Sequence, residues 1–126
     1  MAFGAATWAQ AAPPAAVDLP VSCVTTFKPK ARLDGPAACE AARRTLAATL
    51  KRPVRLVGLG KAGSSDHLVL SLEMPRPHAV RIAARGKLRG RGAAYGPITM
   101  DVMDRPLRQA DVERLIGTMA ESLSGR

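Results

Sequence analysis

From residue 21 onward the chain alternates between short stretches of period two and two longer stretches of helical period. "VSCVTTF" places Val21, Cys23, Thr25 and Phe27 on one face of a strand and Ser22, Val24 and Thr26 on the other. After the loop "KPKARLDGP", which carries Lys28, Lys30 and Arg32, the spacing predicts a helix over 36–50. Asp34 or Gly35 can cap it, Pro36 fits its first turn and Pro53 stops it. "VRLVGL" reads as a second strand. In "HLVLSLEM" Leu68, Leu70, Leu72 and Met74 alternate with His67, Val69, Ser71 and Glu73, which predicts a third. A fourth strand starts at Ala79, with Val80, Ile82 and Ala84 inward and Arg81 and Arg85 outward. A fifth follows Gly96-Pro97, with Ile98, Met100 and Val102 inward. Val112, Leu115, Ile116, Met119 and Leu123 then repeat at helical spacing, with Arg108 at the N-cap place and Gly125 placed to end the helix.

The predicted order is β-α-β-β-β-β-α. A strand–helix–strand crossover followed by hairpins implies a single α+β domain over 21–126, a mostly antiparallel sheet with two helices packed on one face. The residues predicted outward, Arg55, Ser71, Glu73, Arg81, Arg85, Thr99 and Asp101, would leave the other face polar and solvated.

The cysteine count sharpens this picture. Cys23 and Cys39 are the only two. One lies on the inner face of the first strand, the other in the first turn of the helix that covers it, in line with Ala42, Leu46 and Leu50, so a disulfide between them is expected. Residues 1–20 are rich in Ala and Pro, and Ala9-Gln10-Ala11 has the form of a signal-peptidase site. They read as the remnant of a signal peptide or as a disordered tail. A lipid-attachment motif at Cys23 does not fit, because Pro20 stands where an aliphatic residue is required. Bridge and leader together point to a periplasmic or secreted protein; a cytoplasmic one is the alternative.

Charge changes the picture next. The 126-residue chain has a formal net charge of +9 and only 3% aromatic residues. Between Met74 and Met100 there is no acidic residue but six basic ones: Arg76, Arg81, Arg85, Lys87, Arg89 and Arg91. In "AARGKLRGRGAAYG" the bases alternate with small residues. If the fourth strand ran on to Arg91, then Arg81, Arg85, Lys87, Arg89 and Arg91 would project to one side as a bent, protruding hairpin arm. Such a row repels itself, and calls for neighbouring carboxylates, salt or an external polyanion. The expected partner is an anionic envelope component or an acidic protein surface, with nucleic acid as the alternative. The order of elements between the two helices resembles that of the double-stranded-RNA-binding domain. A fifth strand intervenes here, however, and the last helix opens "PLRQADVE" where that family is lysine-rich.

Catalytic readings find little support. Gly58–Ser65 carries its lysine too early for a phosphate loop and is expected to be a hairpin turn. His67 and His78 bracket one strand, with no nucleophile elbow nearby. A zinc site from the two cysteines and two histidines lacks closely spaced ligand pairs. Glu73 and Asp101 are expected to form cross-strand ion pairs with Arg81 and Arg85. The expectation is a non-enzymatic binding protein without a cofactor.

Overall fold

The computed structural model describes residues 18–59 and 65–125. The expected A-x-A site, and most of the Gly58–Ser65 loop, lie outside the described residues. Five strands and two helices follow in the expected order: β1 Leu19–Thr26, α1 Gly35–Leu50, β2 Val54–Val57, β3 His67–Arg76, β4 Ala79–Leu88, β5 Arg91–Asp101 and α2 Gln109–Ser124. β1 begins at Leu19, two residues before the expected start.

The strands form one mixed sheet in the order β2-β1-β3-β4-β5. β1 pairs parallel with β2 and with β3, while β3–β4 and β4–β5 are antiparallel and contribute most of the paired residues. β1–α1–β2 is the expected crossover. The hairpin expected between β2 and β3 is absent, because β1 lies between them and both run parallel to it. Between Val57 and His67 the chain therefore passes from one side of β1 to the other. Ser22 Oγ, on β1, donates to the Gly58 carbonyl at 3.1 Å and ties down the departure of that connection.

Both helices cover the same face of the sheet: α1 packs on β1 and β2, α2 on β4 and β5, and the helices on each other. The buried core is aliphatic: Leu19 and Val21 from β1, Leu68, Leu70 and Leu72 from β3, Val80 and Ile82 from β4, Leu46 from α1, and Val112, Ile116, Met119 and Leu123 from α2. With no large aromatic residue in that core, area must come from many interlocked aliphatic side chains.

Helix caps explain the helix boundaries. Asp34 accepts a hydrogen bond from Ala37 N–H at 2.9 Å, and α1 ends at Lys51, which adopts a left-handed conformation. At α2, Asp111 reaches back to the Arg108 N–H at 2.9 Å and receives the Arg105 guanidinium at 2.7 and 2.8 Å. Asp111 is almost wholly buried. The Arg105 hydrogen bonds hold its carboxyl far below the usual carboxylate range, against the opposing effect of burial.

β5 begins at Arg91 rather than at Ile98. Gly96-Pro97, expected to precede the strand, lies inside it, at a register shift between the pairs Ile82–Ile98 and Ala84–Tyr95. β5 is an edge strand, so a proline without an N–H is tolerated there. Gly96 has φ +76°, and a Cβ on it would meet the Ile82 carbonyl oxygen at 2.5 Å, so the bulge requires glycine.

Candidate functional site

The basic stretch forms the end of the β4–β5 hairpin. β4 stops at Leu88, Arg89 and Gly90 make a two-residue turn with φ +52° and +76°, and β5 starts at Arg91. Positive φ at both turn positions matches the right-handed twist of the strands and favours Asn-Gly; arginine in the first place is the costlier choice.

This geometry breaks the single row of cations expected from the sequence. Arg81, Arg85 and Lys87 do share the open face, opposite the helices, because they register with Glu73, Val69 and His67. Arg89 sits in the turn. Arg91 registers with Leu88, a core residue, and so emerges on the helix side. Arg81 stands about 13 Å along the strand from Arg85. It reaches Glu73 at 3.5 Å and Thr99 at 3.2 Å, which makes it part of a cross-strand pair. Asp101 pairs with Arg76 at 2.8 Å, not with the expected arginines. The cations gathered at the hairpin end are therefore Arg85, Lys87, Arg89 and Arg91. The open face carries all seven residues predicted outward, together with half-buried Val24, Val69 and Ala83.

Nor does the hairpin protrude as a free arm. β4 pairs with β3 as far as Lys87, and Leu88 is buried. Gly86 makes that close pairing possible, since a Cβ there would collide with the His67 carbonyl. The turn itself is clasped by Asp66, whose carboxylate accepts from Arg89 N–H at 2.7 Å, Gly90 N–H at 3.0 Å and the Arg52 guanidinium at 2.9 Å. Burial raises the Asp66 pKa, but the Gly90 N–H, the Arg52 guanidinium and the Arg89 N–H together outweigh it, and the carboxyl stays below its usual range. The result is a rigid cationic end. Lys87 stands opposite His67 and Gly92, and Arg85 opposite Val69 and Ala94, so no carboxylate is in cross-strand register with Arg85. Beside them lies an open depression of about 670 Å³ lined by His67, Val69, Arg85 and Gly92–Ala94.

Cys23 and Cys39 are joined in a disulfide with Cα atoms 5.8 Å apart, linking β1 to the first turn of α1. The histidines do not converge: His67 Nδ1 meets the Ser65 carbonyl at 2.9 Å and His78 Nδ1 the Arg105 carbonyl at 3.0 Å. Among the described residues no cluster of His, Cys, Asp or Glu has the makings of a metal site. No described helix is long and apolar enough to cross a membrane. A second group of cations, Lys28, Lys30, Arg32 and Arg108, gathers at the opposite end of the sheet. Sequence reasoning noted its loop members but did not bring them together.

No family model matches the chain, and no curated protein matches it by sequence. Among solved structures it is similar in fold to a PelC variant from Paraburkholderia phytofirmans, solved as a dodecamer, at 21% identity and a TM-score of 0.53 over 90% of this chain and 95% of that one. An uncharacterised protein matches at 5% identity and a TM-score of 0.43 over 85% of this chain and 88% of that one.

Proposed function

We propose that this chain is an exported, disulfide-stapled accessory domain that works by binding and not by catalysis, and that it meets an anionic partner with the rigid hairpin end. The observation that carries this reading is the gathering of Arg85, Lys87, Arg89 and Arg91 at one end of the sheet. The preferred partner is an extended polyanion of the cell envelope or an acidic protein face, since the site is a rigid surface and not an enclosed pocket. The disulfide supports an oxidising compartment. The fold likeness to a protein solved as a dodecamer supports self-assembly, and copies held together would repeat the cationic end and multiply weak contacts.

Retention on dextran sulfate beads across a salt gradient tests the reading, with duplex DNA as a second matrix. Replacing Arg85, Lys87, Arg89 and Arg91 together by alanine should abolish retention while leaving the circular dichroism unchanged. Unaltered retention of the folded variant would overturn the role of the hairpin. Intact mass after alkylation under denaturing, non-reducing conditions tests the compartment: two modified thiols in protein taken directly from cells, together with tighter salt-dependent binding to DNA, would favour the nucleic-acid reading instead.

A further inference from the structure

Lys28, Lys30 and Arg32 follow β1, Met74 lies near the end of β3, Pro77 and His78 form the β3–β4 turn, and Pro106, Leu107 and Arg108 lead into α2, which Gln109 opens. These segments surround a cleft of about 900 Å³, at the end of the sheet remote from the basic hairpin. That volume lies in the range of small-molecule sites. Its floor is apolar, from Met74 and Leu107, both nearly buried, with Pro77 and Pro106 beside them. Its rim carries Lys28, Lys30, Arg32 and Arg108, and among the described residues no carboxylate lines it. Among the described residues none of these four cations makes an ion pair.

Two local rules are broken here. Arg108 occupies the N-cap of α2, where the helix dipole disfavours a cation and a small polar residue is preferred. Asp111 caps the Arg108 backbone N–H at 2.9 Å, but its ion pair is with Arg105 and not with the Arg108 guanidinium. Arg32 holds φ +56° as the left-handed cap of a short 3-10 turn, Pro29–Ala31, a place more often taken by Gly or Asn. Departures of this kind concentrate where a ligand makes use of them. The walls are also fixed in advance. The Gln109 amide bridges to Asp34, accepting from its N–H at 3.0 Å and donating to its carbonyl at 3.3 Å. His78 is held between the Arg105 carbonyl at 3.0 Å and Val102 N–H at 2.8 Å. A preformed site loses less on binding.

We infer that this cleft binds an amphipathic anion: a phosphate monoester headgroup held among Lys28, Lys30, Arg32 and Arg108, with an acyl or alkyl body laid over Met74 and Leu107. Four cations suit a dianion better than a single carboxylate. The apolar floor distinguishes a phosphorylated amphiphile from free phosphate.

Isothermal titration of the full chain with dodecyl phosphate below its micelle concentration tests this, alongside inorganic phosphate and the uncharged dodecyl maltoside. Dodecyl phosphate should bind at least tenfold more tightly than either. The triple substitution Lys30→Ala, Arg32→Ala and Arg108→Ala should weaken it at least tenfold, while Arg85→Ala with Lys87→Ala, at the hairpin, should leave it unchanged. That contrast separates this cleft from the proposed hairpin function. Equal affinity for inorganic phosphate, or for dodecyl maltoside, would overturn the inference. If the triple variant does not fold, the Met74 methyl resonance of the unaltered protein decides: it must shift on titration with dodecyl phosphate, and a resonance that stays in place overturns the assignment.

Discussion

Reducing the Cys23–Cys39 bridge is the perturbation whose effect can be worked most directly from the structure. The bridge spans a sequence separation of 16 and joins β1, an interior strand of the sheet, to the helix lying over it. In the chain-entropy treatment, closing a loop of that length removes roughly 10 cal/mol/K from the unfolded ensemble, about 3 kcal/mol at 25 °C. Domains of this size have about 5–15 kcal/mol in total, so the loss is a large fraction of the whole. With a urea slope of about 1–1.5 kcal/mol/M, the unfolding midpoint should fall by about 2–3 M, and the melting temperature by about 12 °C. Reduction of the unmodified chain is a cleaner test than substitution, because both states keep the same atoms in the core. The assay is equilibrium urea unfolding with and without a phosphine reductant, followed by far-ultraviolet circular dichroism, with the thiols counted after each run. The slope should rise slightly on reduction, as the unfolded chain becomes less compact. A difference below 1 kcal/mol between fully oxidised and fully reduced protein would refute the entropy argument.

Asp66→Ala removes the acceptor shared by Arg89 N–H, Gly90 N–H and Arg52, and should destabilise by about 2 kcal/mol and speed amide exchange at residues 89 and 90. Asp111→Ala leaves Arg105 without its partner and α2 without its capping carboxylate; about 2 kcal/mol is expected by urea unfolding, less than for a fully buried pair because Arg105 is one-third exposed. Both carboxyls are held below their unfolded values in the folded state. The unfolded chain therefore binds more protons on acidification, and the stability they contribute, complete above about pH 5, is lost as pH falls through about 4 and below; the two alanine variants should show a flatter acid limb. Gly86→Ala should cost at least about 2 kcal/mol, since β3 must move away to admit the methyl group, and a measured loss under 0.5 kcal/mol would contradict the close pairing.

Whether a feature could be seen in the sequence depended on how local its cause is. α2 was legible because Val112, Leu115, Ile116, Met119 and Leu123 all face one core and Arg108 and Gly125 mark its ends. The Cys23–Cys39 bridge followed from two faces that had to meet. The β2–β3 connection was misread because a short glycine-containing stretch between strands resembles a hairpin locally, whereas its course is set by β1, which claims both neighbours through pairings remote in sequence. Arg89-Gly90 was hidden by the regular alternation of glycines around it, and Pro97 suggested a break only because the edge position of β5 was not visible. The cleft draws on segments near residues 30, 76 and 107, and no single stretch carries its signature.

Both ends of the described chain leave from the hairpin's side of the molecule. Leu19 opens β1 beside the start of β3, and Leu123, near the end of α2, borders the same hollow as Leu88 and Arg91. The cleft faces the other way, about 30 Å off along the ten residues of β4. A bead or sensor chip attached directly at the described ends, beside Leu19 or Gly125, will therefore crowd the cationic hairpin and leave the cleft in open solvent. Immobilised protein would under-report the first surface while giving a fair measure of the second, so the hairpin has to be assayed with the protein free in solution and its partner on the support.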